Sequence, residues 1–220
     1  LLFMNGLKRQ SILYIFFFYL IFSTACNKNN FELESGDLLF QVNESNAFTD
    51  AITTTTGDHQ KLSFSHVAIV SAEGKQIFVI EAVPHGGVRH ISLQNFLNSS
   101  AHNSSGKPLV AVYRMKKNQH VSNVVENAGK YIGMPYDSTF MPGNNALYCS
   151  ELVYESYLDT RGLHIFTANP MSFKDSTGRT STLWVNYFKK LGKAIPEGLP
   201  GTNPNDLSKE KIIKEVYRYF

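Results

Sequence analysis

Only two cysteines, Cys26 and Cys149, occur among the 220 residues. A disulfide-stapled scaffold is therefore excluded, and any thiol that survives export must be accounted for in another way. An excess of one charge is also missing: 21 Lys and Arg stand against 18 Asp and Glu. Without residues 1–25, which carry Lys8 and Arg9 but no acid, the balance is 19 against 18. So even a charge distribution gives no electrostatic basis for nucleic-acid binding. No internal repeat is present. The longest apolar run, Ile12 to Phe22, falls short of the roughly 20 residues that span a bilayer, but it has the length of a signal-peptide core.

What is present begins at that run. Lys8 and Arg9 precede it and Ser23-Thr24-Ala25-Cys26 follows. Small residues ahead of a cysteine resemble the lipobox of bacterial lipoproteins, although Ser23 stands where that motif usually has an aliphatic residue. The expectation is a lipoprotein-type signal peptide over 1–25, with Cys26 as the lipidated N-terminus, a polar tether over 26–35 and one domain over 36–220. An ordinary secretory signal is the alternative, and it would leave Cys26 an incidental thiol. Either way the protein is expected to be exported to the cell envelope, and the first reading anchors it to a membrane through lipid. With 43% hydrophobic residues, the chain has enough apolar material for a core.

Periodicity places the elements. Asp37 to Val42 reads as a strand; Asn43 to Lys61, with its Thr53–Thr56 run, reads as a loop containing one helical turn. Ser65 to Ser71 and Gln76 to Ala82 are β-branched runs around Ala72-Glu73-Gly74-Lys75 and predict a hairpin. A turn centred on Glu73-Gly74 pairs Ser71 with Gln76, and so places His66 directly opposite Glu81 on one face. Gly87 to Ile91 and Leu109 to Arg114 are further strands, and Leu93 to Asn98 is a short helix. Val121, Val124, Val125, Ala128 and Ile132 have helical spacing, ended by Gly133 and Pro135. Residues 162–206 read as turn-rich, anchored by Trp184 and Tyr187. Ser208 predicts a cap for a last helix bearing Ile212, Ile213, Val216, Tyr217 and Phe220.

The chemistry centres on Cys149. After the Pro142-Gly143-Asn144-Asn145 breakers, Cys149, Leu152, Val153 and Tyr157 recur at helical spacing, so the cysteine falls in a helix's first turn. Unpaired N–H groups there favour a thiolate. The bland alternative is a small buried hydrophobe. Together, His66, Glu81 and Cys149 supply a base, an orienting carboxylate and a nucleophile for acyl transfer. Backbone N–H groups at the helix start, assisted by the Tyr148 or Tyr136 hydroxyl, suit a developing oxyanion. Glu151 is expected to face solvent. His85 and His90 do not complete a metal set with Cys149, so neither metal nor cofactor is expected.

Five segments carry a resemblance: Gly36-Asp37-Leu38-Leu39-Phe40, Phe64-Ser65-His66-Val67-Ala68-Ile69-Val70, Ile80-Glu81-Ala82, Gly133-Met134-Pro135-Tyr136-Asp137 and Tyr148-Cys149-Ser150-Glu151-Leu152-Val153. With the Pro196 to Pro204 tail, they look like the permuted NlpC/P60 papain-like cysteine hydrolases of the YiiX/YebB type. The resemblance implies an α+β fold with an antiparallel sheet packed on the cysteine helix. It further implies Cys149 as nucleophile, His66 as base, Glu81 as orienting residue, and Tyr136, Asp137 and Tyr148 lining the substrate cleft. The implied activity is cleavage of an amide through a thioester, with peptidoglycan fragments as the favoured partner. A lipid thioesterase or acyltransferase and a non-catalytic amino-acid, peptide or acyl-binding lipoprotein are the alternatives. Oligomeric state is not legible.

Overall fold

In a computed structural model, residues 31–57, 62–116, 121–175 and 177–220 are described. The signal peptide expected over 1–25 and Cys26 lie outside these residues. Glu32–Phe220 form one compact unit.

The elements in chain order are β1 (Leu38–Gln41), α1 (Ala47–Thr56), β2 (His66–Glu73), β3 (Gln76–Val83), β4 (Gly87–Ser92), α2 (Leu93–Asn98) and β5 (Val110–Met115). They continue with α3 (Val121–Gly129), α4 (Cys149–Ser156), β6 (Asn169–Pro170), α5 (Thr182–Leu191), β7 (Pro200–Gly201), α6 (Pro204–Ser208) and β8 (Ile213–Arg218). Six strands form an antiparallel sheet in the order β4-β3-β2-β1-β5-β8, so the α+β reading holds. Strand β1 is short, but all four of its residues are buried, because neighbours flank both edges and both faces are covered.

Helix α4 packs on β2 and β3, and α3 packs on β2 and α4. Leu152 and Val153 of α4, with Tyr157 just after its end, meet Leu38, Phe40, Val67, Ile69 and Ile80 in the main core. Completely buried leucines such as Leu152 each contribute roughly 2 kcal/mol through burial. Tyr157 adds a buried hydrogen bond, its hydroxyl donating to Gly36 O at 2.5 Å. A second, aromatic cluster of Phe140, Tyr148, Phe173, Trp184 and Phe188 lies beside the start of α4.

Four expectations need correction. The hairpin turn is Gly74-Lys75, with Glu73 facing Gln76 and Ile69 facing Ile80. The register is therefore shifted by two residues, and Glu81 is diagonal to His66 instead of opposite it. A shift of two preserves the face, which is why the pair still meets. Second, residues 47–56 form a ten-residue helix, longer than the single helical turn expected within that loop. Asn46 and Thr49 make a reciprocal cap, and Thr53, Thr55 and Thr56 hydroxyls donate to carbonyls one turn back. Third, the turn-rich stretch contains α5, capped by Ser181 and closed by left-handed Gly192. Finally, the last helix is a strand. Ser208 ends α6, and Ile213–Arg218 pair with β5, where β-branched and aromatic side chains suit a sheet edge.

Residues 32–35 do not hang free either. Arg114 donates to Glu32 O at 2.9 Å and pairs with Glu34 and with buried Asp37, which ties this segment to β5.

Candidate active site

His66 opens β2. It and Glu81 alternate with Val67, Ile69, Ile80 and Ala82, the positions that pack towards α4. Both are buried, at 6% and 1% exposure, and His66 Nε2 lies 2.7 Å from Glu81 Oε2. An ionised carboxylate only accepts, so Nε2 carries the proton of that bond. The opposite ring nitrogen, Nδ1, is left for the interaction that His66 makes with Cys149.

The electrostatics favour an imidazolium. Burial pulls the His66 pKa down, but hydrogen bonds to Cys149 and Glu81, together with their charges, outweigh it and raise the pKa to about 10. Burial would push Glu81 up; the bond and charge of His66, then those of Arg89, hold it below the usual carboxylate value. Arg89 is a residue of the site that no sequence pattern pointed to. It directly faces Glu81 across β3 and β4, and its Nε and Nη2 donate to Oε1 at 2.9 and 2.7 Å. Pairing the strand read over 87–91 with the hairpin would have exposed it.

Cys149 is the first residue of α4, as its spacing predicted, and is buried. Its helix cap, Tyr148, supplies no side-chain hydrogen bond, so the first-turn N–H groups are not capped by that residue. The Tyr148 hydroxyl instead accepts from Thr202 N at 3.1 Å. Tyr136 borders the cavity beside Cys149, and its hydroxyl pKa is raised by burial and then by the thiolate charge. Asp137 is placed differently: its carboxylate accepts from Thr139 N, Thr139 Oγ1 and Met141 N and organises the loop.

Two further observations depart from expectation. Glu151 is buried at 8% exposure, and burial, then the Asp137 charge, raises its pKa to about 8. Asn205, also unforeseen, clamps the approach to His66: its side chain accepts from Phe64 N and donates to Phe64 O and Thr56 Oγ1, all within 2.9 Å. A separation of 141 residues left no local signal for it.

The fold and this thiol–imidazole–carboxylate arrangement can be compared with known proteins. Residues 32–217 match the family described as "Permuted papain-like amidase enzyme, YaeF/YiiX, C92 family". The chain belongs to this family. It is accordingly a cysteine hydrolase of papain-like type. The protein YiiX of Escherichia coli K12, described as uncharacterized, is 26% identical over 164 residues, covering 74% of this chain and 75% of that one. A crystal structure titled metalloprotein yiiX, from Escherichia coli O157:H7, superposes with a TM-score of 0.69 at 22% identity, covering 86% of this chain and 98% of that one. Among the described residues of this chain, no three His, Cys, Asp or Glu side chains are arranged to hold a metal ion. His85 is exposed, and His90 pairs with Glu73 and lies tilted against the Phe78 ring.

Proposed function

We propose that Cys149 cleaves an amide through a thioester, with His66 as the proton carrier and Glu81, held by Arg89, as the orienting carboxylate. The observation that carries this is the buried His66 bound on one nitrogen by Glu81 and interacting with Cys149. The thiolate adds to the carbonyl carbon, and N–H groups at the start of α4 are suited to the oxyanion. Collapse breaks the C–N bond as the His66 imidazolium gives its proton to the departing amine. Water then attacks the thioester while His66 takes its proton. The C–S bond breaks, the acid leaves, and the proton on His66 restores the thiolate–imidazolium pair.

A cell-wall peptide at the envelope is the substrate class we propose to assay first; its support is the leader pattern ahead of Cys26. Incubation with peptidoglycan fragments should release new amino groups, and mass spectrometry of rapidly quenched enzyme should show an acyl adduct on Cys149. Cys149→Ala should abolish both and His66→Ala should lower turnover by at least about 10³-fold. Turnover that survives Cys149→Ala would overturn the proposal.

A further inference from the structure

Two cavities flank the catalytic pair, and their chemistry differs. One, of ≈ 70 Å³, is bordered by Cys149 and not by His66; its wall includes Ile52, Tyr136, Phe140, Phe173 and Trp184. None of its lining residues is Asp, Glu, Lys, Arg or His, although Ser65, Ser150, Thr202 and Asn203 also border it, and Ser150 Oγ and Thr202 Oγ1 are buried without a hydrogen-bond partner among the described residues. The other, of ≈ 260 Å³, is bordered by His66 and not by Cys149, and it includes Glu44, Glu81 and Arg89. In its wall, Gln41 Oε1 is buried and has no hydrogen-bond partner among the described residues.

Reaction geometry assigns the two sides. The departing amine must receive its proton from His66, so it lies towards the imidazole. The acyl part becomes bonded to Sγ and lies on the thiol's side. We infer that the substrate's acyl group is uncharged and largely apolar, seated in the cavity beside Cys149, while its amine leaves through the one that carries charged side chains. This rests on the amide-hydrolase reading above and narrows its substrate class. A carboxylate or ammonium in the acyl cavity would lose its hydration and find no opposite charge there. On the other side, Gln41 Oε1 is available to accept an N–H of the amine.

Aldehydes test the acyl side, because their carbonyl adds to the thiolate and their substituent then occupies the acyl position. The full chain carrying Cys26→Ser would be alkylated with iodoacetamide in the presence of N-acetyl-leucinal, hexanal, N-acetyl-lysinal or the aldehyde of N-acetylglutamate. The two apolar aldehydes are expected to protect Cys149 at concentrations about tenfold or more below the charged pair. A lower requirement for hexanal than for N-acetyl-leucinal would mark a plain acyl chain as the source, and the reverse a peptide residue. Ile52→Glu, and independently Met171→Glu at another residue of the same wall, should weaken protection by N-acetyl-leucinal and strengthen it by N-acetyl-lysinal in variants that keep the parent's unfolding midpoint. Equal protection by charged and apolar aldehydes, or protection by none of them, overturns the inference. Failure of iodoacetamide to modify Cys149 at all would instead overturn the nucleophile itself, a distinguishable result.

Discussion

At the scale of single residues, the site depends on where one proton sits. His66 has its pKa raised to about 10, so the imidazolium that protonates the leaving amine persists through neutral pH. Activity supported by that acid should fall as pH rises through about 10. Glu81→Gln removes the charge that, with Cys149, sustains the imidazolium. The alkaline limb of the kcat/KM profile should then move to lower pH and the plateau should drop about 10²-fold or more, as read from a pH–rate series on any cleaved amide. An unchanged alkaline limb would mean that another group titrates there. Arg89 acts through Glu81. Arg89→Ala leaves Oε1 of a fully buried carboxylate without the partner seen at 2.7–2.9 Å. A loss of about 1–3 kcal/mol in denaturant unfolding is expected, together with a smaller fall in kcat/KM than Glu81→Gln produces. A fall equal to that of Glu81→Gln would make Arg89 more than a support.

At the scale of elements, Gly87 joins the sheet to the loop that carries Tyr136 and Asp137. It opens β4 with φ +64, and a Cβ there would lie 2.1 Å from Met134 O. Its neighbour Val88 exchanges backbone bonds with that loop: Val88 N donates to Met134 O and Gly133 N to Val88 O, each at 2.8 Å. Gly87→Ala should therefore cost roughly 1–3 kcal/mol or more in equilibrium unfolding and lower turnover as the loop shifts. Ala tolerated at wild-type stability would show that the loop yields freely. The same elements mark what could be read beforehand. Strands β1 to β5 stand out as β-branched and apolar runs and the cysteine helix as a period-3.6 pattern, so His66, Glu81 and Cys149 could be brought together. Helix α1 escaped because threonine has weak helix propensity; its stability comes from the Asn46 cap and from Trp184, whose Nε1 donates to Thr55 Oγ1 at 2.9 Å. The apolar stripe in β8 has helical spacing, so the pattern pointed to a helix, and the pairing with β5 makes the segment a strand instead. Arg89 and Asn205 act through strand pairing and distant clamping, which no local pattern displays.

At the scale of the whole molecule, three buried groups set how stability varies with pH, and their signs can be separated. Glu81 is held below its ordinary value of 4.5, so its contribution is present above that value and is lost as pH falls through the lower folded pKa. Glu151 moves the other way, from 4.5 to about 8. The folded state holds its proton more tightly, so that contribution is present below 4.5 and is lost as pH rises through about 8. His66 shares the second sign in a later window: its contribution is full below 6.5 and is lost as pH rises through about 10. The maximum is therefore expected on the acidic side of neutrality, between the window where Glu81 weakens and the one where Glu151 ionises. Thermal unfolding followed from pH 5 to 10 should decline in two overlapping stages above that maximum. Glu151→Gln should flatten the first stage, up to about pH 8, and leave the second. Because Glu151 belongs to the first turn of α4, its ionisation adds a buried negative charge within two residues of the nucleophile. The variant should accordingly gain stability at pH 8–9 relative to the parent, and a parent-like decline from pH 5 to 8 in Glu151→Gln would show that the Glu151 carboxyl is solvated in the folded protein.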